Sequence, residues 1–279
     1  MIARAALAQA VTLLDQAGCE TPRLDAEILL RHFWQTSATG LFLKLDEMLP
    51  EEVETSYLAA VGRRSKREPL AYITGEKEFW SLDFYVTQGV LIPRPETEHV
   101  IEAVTDSFPD RDASYRFCDI GTGSGCIAIT LALEYPASLV VATDISEKAL
   151  VVASKNAVRH DVSDRIVFRL GDMFDALGLD DGLFDAIVSN PPYVGLDELA
   201  GLAPELAYEP REALTDEADG SRYLAHLVDQ SPQWLSLHGY LFVETGLVGF
   251  PEPSAGMKCG NVINDLAGYE RVGIYQRVT

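Results

Sequence analysis

From residue 115 onward, five short apolar runs alternate with stretches of helical periodicity, and no other feature of the chain restricts its fold as strongly. The runs are Tyr115 to Ile120, Leu139 to Thr143, Ile166 to Leu170, Phe184 to Val188 and Tyr240 to Val243; Ile127 to Glu134 and Glu147 to Arg159 read as helices between them. Strands apolar on both faces and joined through helices pair in parallel, because the crossover must pass over the sheet. The expectation is an α/β fold with a parallel, doubly wound sheet, and such sheets bind ligands beyond the carboxyl ends of their strands.

The residues ahead of these runs have a different texture. Leu7, Val11 and Leu14 recur at helical spacing before Gly18, and Thr21 with Pro22 reads as the start of a second helix that turns Leu24, Ile28, Leu29 and Phe33 inward. A third stretch runs from Pro50 through Val53, Tyr57, Leu58 and Val61, closed by Pro69 to Gly75. From Glu76 to Ile92, Phe79, Trp80, Leu82, Phe84, Val86, Val90 and Leu91 read as a β-hairpin turning at Gln88-Gly89. Three parts are therefore expected: a helical domain over 1–75, a linking hairpin over 76–92 and the α/β domain over 93–279.

Composition removes several classes of function. Of 279 residues, 22 are Lys or Arg and 43 are Asp or Glu, a net charge of −21 that repels phosphate backbones. General or sequence-specific nucleic-acid binding is not expected. No apolar run approaches the roughly 18 residues of a membrane span, and no signal-peptide pattern opens the chain, so neither a membrane nor a secretory route is expected. Cys19, Cys118, Cys126 and Cys259 form no CxxC pair, which argues against zinc and redox motifs and suits small buried side chains in a reducing cytoplasm. Residues 1–92 hold 9 basic and 13 acidic side chains, so most of the negative charge lies in the α/β part. Arg63, Arg64, Lys66 and Arg67 cluster in the helical part, as a solvated helix end or a docking patch.

Two motifs carry chemistry. The first, Asp119-Ile120-Gly121-Thr122-Gly123-Ser124-Gly125, follows an apolar strand and opens a helix, where glycines allow close approach of a ligand to the backbone. Asp144 ends the next strand, placed to accept ribose hydroxyl protons. A dinucleotide calls for G-x-G-x-x-G and a pyrophosphate, whereas this loop is G-x-G-x-G with an acid two residues ahead of the first glycine. Asp119 suits a cation, and S-adenosylmethionine carries an ammonium and no phosphate. Asp172 and Met173, after the third strand, offer an acceptor and an apolar wall for adenine, though an acid after Gly171 also suits an ordinary turn.

The second motif is Asn190-Pro191-Pro192-Tyr193, at the end of the fourth strand. Two prolines remove two backbone donors and fix two φ angles, freeing nearby carbonyls for a guest. The Asn190 side-chain carbonyl and the Pro191 carbonyl form a pair of acceptors for an –NH2 group, with Tyr193 as a flat face. This is a receptor for a planar amide or an exocyclic amine.

Asp119 to Gly125, Asp144 and Asn190 to Tyr193 resemble the class I methyltransferases that act on planar nitrogens. With Gly75-Glu76-Lys77-Glu78-Phe79-Trp80, Leu91-Ile92-Pro93-Arg94-Pro95-Glu96-Thr97-Glu98 and the helical beginning, the chain is similar to the PrmC/HemK family of release factor glutamine methyltransferases. The resemblance implies a class I, Rossmann-like methyltransferase domain behind a small helical docking domain. It implies that Asp119, Gly121, Thr122, Gly123, Ser124, Gly125, Asp144, Asp172, Met173 and Asn190 hold S-adenosylmethionine. Asn190, Pro191, Pro192 and Tyr193 would hold and orient the glutamine of a Gly-Gly-Gln loop in a peptide chain release factor. After Glu244-Thr245-Gly246 the chain departs from the family pattern, with Pro251, Pro253, Gly256 and Gly260 where a helix and a closing antiparallel strand pair are usual, so an irregular sheet edge is expected. An adenine-N(6) methyltransferase would use the same receptor, against which the net charge argues; a non-catalytic S-adenosylmethionine-binding protein is the remaining alternative.

Overall fold

The computed structural model describes residues 1–246, 248–265 and 267–279, which form two compact units. The first comprises Met1–Glu76 together with Ala203–Tyr208. Its helices are α1 (Ala3–Gln16), α2 (Pro22–Phe33), α3 (Ala38–Leu43), α4 (Glu51–Arg64) and α5 (Leu70–Thr74). The apolar spacing read from the sequence sets the buried face of α1, where Ala3, Ala6, Leu7, Ala10 and Leu14 face the core. Helix α2 is rotated from its expected setting: Leu24 is 53% exposed, and Asp25 is buried in its place. The carboxylate is drawn inward because Arg64 Nε donates to it at 2.7 Å. Arg64 and Arg67 also grip Glu205, at 2.9 and 2.7 Å, so six residues from late in the chain complete this unit. The basic cluster is thus largely consumed internally.

The second unit comprises Lys77–Leu202 and Glu209–Thr279. The expected hairpin forms from β1 (Glu76–Phe79) and β2 (Leu82–Tyr85), but its turn falls at Trp80-Ser81, both at positive φ, and not at Gln88-Gly89. Acids stand in for turn glycines here: Glu98 accepts from the Trp80 amide, Glu78 from the Ser81 amide and Glu134 from the indole. Phe79 and Phe84 are buried in the core of this unit, so the hairpin packs as part of it.

The remaining strands are β3 (Arg116–Ile120), β4 (Leu139–Asp144), β5 (Ile166–Leu170), β6 (Phe184–Ser189), β7 (Leu235–Glu244), β8 (Met257–Asn264) and β9 (Glu270–Arg277). They form one sheet in the order β5-β4-β3-β6-β7-β9-β8, parallel through β7 and antiparallel at β9. Helices α6 (Glu98–Ser107), α7 (Cys126–Glu134), α8 (Glu147–Arg159) and α9 (Arg222–Gln230) complete the unit. Alternate residues of the strands enter different cores: Phe117, Val140 and Phe242 join α6 and α7, whereas Cys118, Val141 and Leu241 join Leu224 and Leu227 of α9. The topology reverses between β3 and β6, whose carboxyl ends open the crevice such sheets use.

The closing antiparallel pair forms, and its edge strand is irregular as expected, the β8–β9 register shifting between Cys259 and Val262 and again between Ile263 and Asn264. Pro251 and Pro253 lie in the connection ahead of β8, and Gly260 sits at a register shift between Cys259 and Val262. The helix usual in that connection is absent among the described residues. Cys19, Cys118 and Cys126 are buried as expected; Cys259, on the edge strand, is exposed. Among the described residues no helix is long and apolar enough to cross a membrane.

Candidate active site

The glycine loop is built on three left-handed residues, Gly121 at φ +76°, Gly123 at +56° and Gly125 at +83°. The Thr143 carbonyl at the end of β4 accepts from both the Gly121 and Thr122 amides, at 2.9 and 2.8 Å, which folds the loop across the neighbouring strand. A Cβ on Gly121 or Gly123 would meet nothing within 4 Å, whereas one on Gly125 would press on Ile129 and Ala153. The first two glycines thus leave space for a guest, and the third allows close packing of α7 on α8.

Asp119 stands behind this loop. Its side chain is fully buried; Oδ2 accepts from the Thr122 hydroxyl at 2.6 Å and the Ala128 amide at 3.1 Å, and Oδ1 has no partner among the described residues. Burial pushes its carboxyl up to about 7, against the lowering effect of those two donors. It does not line the cleft, so the direct partner for a cation expected from the sequence is instead a brace for the loop. Thr122 and Ser124 are likewise buried behind the surface, the Ser124 carbonyl accepting from Asn156 Nδ2 at 2.8 Å.

Asp144 does line the cleft. Its two oxygens accept from the Gly123 amide and the Ser146 amide, each at 2.8 Å, and each keeps a further lone pair. Partial burial raises its carboxyl, opposed by those amides. Gly121 and Gly123, Asp172 and Met173, and Asn190, Pro191 and Pro192 border the same cavity of about 160 Å³. Met173 adopts φ +49° to reach it.

Asn190 continues β6 past Ser189, and its Nδ2 donates to the Thr97 hydroxyl at 3.0 Å. In this orientation of the amide, Oδ1 is left without a hydrogen bond among the described residues. Tyr193 departs from expectation, since it does not line the cavity. Its hydroxyl donates to Glu244 Oε1 at 3.1 Å, and its ring lies so close to Gly246 that a Cβ there would come within 2.8 Å.

Residues 5–75 match the PrmC N-terminal domain, and residues 99–240 match the methyltransferase small domain. A release factor glutamine methyltransferase of Nitratidesulfovibrio vulgaris is 40% identical over 266 residues, covering 92% of this chain and 89% of its own. The enzyme of that name from Koribacter versatilis is 38% identical with full coverage of both chains. The chain belongs to the release factor glutamine methyltransferase family. Among solved structures, a methyltransferase from Pyrococcus furiosus shares the fold at a TM-score of 0.52, with 15% identity over 78% of this chain and 99% of that one.

For a member of this family the cleft can be tested against S-adenosylmethionine. The open space over Gly121 and Gly123 and the spare lone pairs of Asp144 fit a ligand with ribose hydroxyls. Several participants escaped sequence reasoning. Ile145, 63% exposed, follows Asp144 into the cleft, and an apolar side chain at the open end of a strand was the available signal. Thr97 lay within a quoted segment without a role, and buried Glu244 ends β7 as Asp144 ends β4. Glu209 accepts from the Ile92 amide at 3.0 Å and from Arg94 at 2.6 Å, fixing the segment that runs to Thr97; nothing in the sequence pairs these positions.

Proposed function

We infer that this chain methylates the side-chain amide nitrogen of the glutamine in the Gly-Gly-Gln motif of peptide chain release factors, using S-adenosylmethionine. Bound in the cleft, the cofactor supplies an electrophilic methyl group on a sulfonium. Gly121, Gly123, Asp144, Asp172 and Met173 would hold it, with Asp119, Thr122, Ser124 and Gly125 maintaining the loop. Asn190 Oδ1 and the Pro191 carbonyl accept the two N–H bonds of the acceptor amide, orient its nitrogen toward the cleft and favour the positive charge that develops there. The amide nitrogen would gain the methyl group as a C–S bond of the sulfonium breaks and leaves a neutral thioether, and a proton would pass to water, so the chain need supply no metal site, nucleophile or covalent intermediate. The helical residues 1–75 are proposed as the docking module for the release factor.

The observation that carries this reading is the bond from Asn190 Nδ2 to Thr97, which leaves the amide's acceptor end free at the same cavity as the glycine loop. Labelled cofactor incubated with a release factor, DNA and RNA, followed by mass mapping, tests the substrate. Label is expected on the glutamine alone; label on adenine with none on protein would replace the proposed substrate. Asn190→Ala is expected to lower turnover by about 10²- to 10³-fold with cofactor affinity nearly unchanged. Near wild-type turnover in that variant would remove Asn190 from the mechanism.

A further inference from the structure

Glu244 is a fully buried carboxylate with no ion pair among the described residues. Charge in such a place is expensive unless neighbours repay it, and packing alone would be served as well by an amide or an apolar side chain. Its neighbours converge on one feature. Strands β6 and β7 run parallel with Ser189 opposite Val243, so Asn190, just past the end of β6, is next in line beside Glu244, the last residue of β7. Oε1 accepts from the Tyr193 hydroxyl at 3.1 Å. Oε2 has no hydrogen bond among the described residues, yet the Thr97 hydroxyl lies near enough to ease the buried charge. Thr97 already accepts from Asn190 Nδ2, so its own proton must be directed to some other acceptor.

Two glycines tighten the arrangement. A Cβ on Gly246 would lie 2.8 Å from the Tyr193 ring, and one on Gly220 would lie 2.2 Å from the Tyr193 carbonyl oxygen. Tyr193 is therefore clamped from the ring side, the backbone side and the hydroxyl. Tyr193 reaches the carboxylate directly, and Asn190 reaches Thr97, whose hydroxyl proton remains available to the carboxylate's other oxygen.

We propose that Glu244 is a positioning residue for the acceptor turn, acting through Tyr193 and Thr97 to hold Asn190 Oδ1 and the Pro191 carbonyl where the acceptor amide needs them. This rests on the reading of Asn190 to Tyr193 given above. Glu244→Gln preserves shape but presents an N–H where the carboxylate offers a lone pair, so the amide competes with Asn190 for the Thr97 oxygen. Tyr193→Phe keeps the ring against Gly246 and removes only the donor.

The full-length protein is assayed with release factor, separating kcat from KM, with the cofactor Kd measured by calorimetry. Each variant is expected to lower kcat by roughly 10- to 10²-fold, the scale of a small misplacement of reacting groups, while the cofactor Kd stays within about twofold. The double variant is expected to be little worse than the worse single one, because both break one unit. Wild-type kcat in both variants, even with a lowered unfolding temperature, would reduce Glu244 to packing and overturn the proposal. If Glu244→Gln does not fold, Tyr193→Phe decides by the same criterion. Asn190→Ala is run alongside: full activity there would overturn the reading of the turn itself, whereas loss of activity there with wild-type rates in the other two would overturn only the role of Glu244.

Discussion

Asp119 and Asp144 lie near the carboxyl ends of neighbouring strands, yet their surroundings give them opposite tasks. Asp144 borders the cleft with lone pairs to spare, so Asp144→Ala is expected to weaken S-adenosylmethionine binding by about 2 to 3 kcal/mol, measured by titration calorimetry. Asp119 has no route to solvent, and its carboxyl is raised to about 7. The folded chain therefore binds a proton that the unfolded chain releases near pH 4, and the contribution of Asp119 to stability falls as pH rises from about 4 to 7. Asp119→Asn removes that dependence. The unfolding midpoint of the variant, relative to wild type without cofactor, should rise from pH 5 to pH 8; a difference that stays constant would mean that Asp119 does not titrate in this range. Asp144 was legible because an acid at the end of an apolar strand, one strand from a glycine loop, has few other uses. The burial of Asp119 was not, since it depends on Thr122 and Ala128 turning their donors inward. Thr97 and Glu244 were beyond reach for another reason: their partners lie 93 and 51 residues away.

Elements were read more securely than contacts, because periodicity reports which face is apolar but not what lies opposite it. The parallel strands match their apolar runs closely, with β7 starting five residues earlier than the run that revealed it. Errors came where polar side chains overrode the pattern: Asp25 displaced Leu24 for Arg64, and three glutamates held a hairpin turn that contains no glycine. The glycine loop separates the two causes experimentally. Gly125→Ala combines left-handed strain with a Cβ 3.0 Å from Ile129 Cδ1 and 3.1 Å from Ala153 Cβ. It should destabilise the protein by roughly 2 to 4 kcal/mol in urea unfolding. Gly121→Ala carries the strain alone, about 1 to 2 kcal/mol. It should remain folded but bind the cofactor more weakly, since its Cβ enters the open cleft. Equal stability losses in the two variants would show that packing of α7 on α8 contributes little at Gly125.

At the scale of the whole molecule, the buried acids of the α/β unit and Glu205 of the helical unit answer to pH with opposite sign. In the α/β unit the buried acids Asp119 and Glu244 are both raised to about 7 by burial, so acidification from neutral pH favours the folded state there. In the helical unit, Glu205 has the reverse circumstance: desolvation that would raise its carboxyl is outweighed by hydrogen bonds from Arg67 and Arg64, which bring it down to about 2. Its stabilising effect is complete above the unfolded value near 4.3 and is lost as pH falls from there toward 2. Because Ala203–Tyr208 belongs to the helical unit, cutting the chain after Gly75 would remove Arg64 and Arg67 and strand Glu205. A point substitution is therefore the sounder probe of how the unit is completed. Glu205→Gln keeps one acceptor but not the charge, and should cost roughly 1 kcal/mol at pH 7. The gap between wild type and variant in thermal unfolding of the full-length protein should stay constant from pH 7 to 5 and close as pH falls from about 4.5 toward 2. A gap that is equally wide at pH 2.5 and pH 7 would show that charge on Glu205 is not what joins the late segment to the helices.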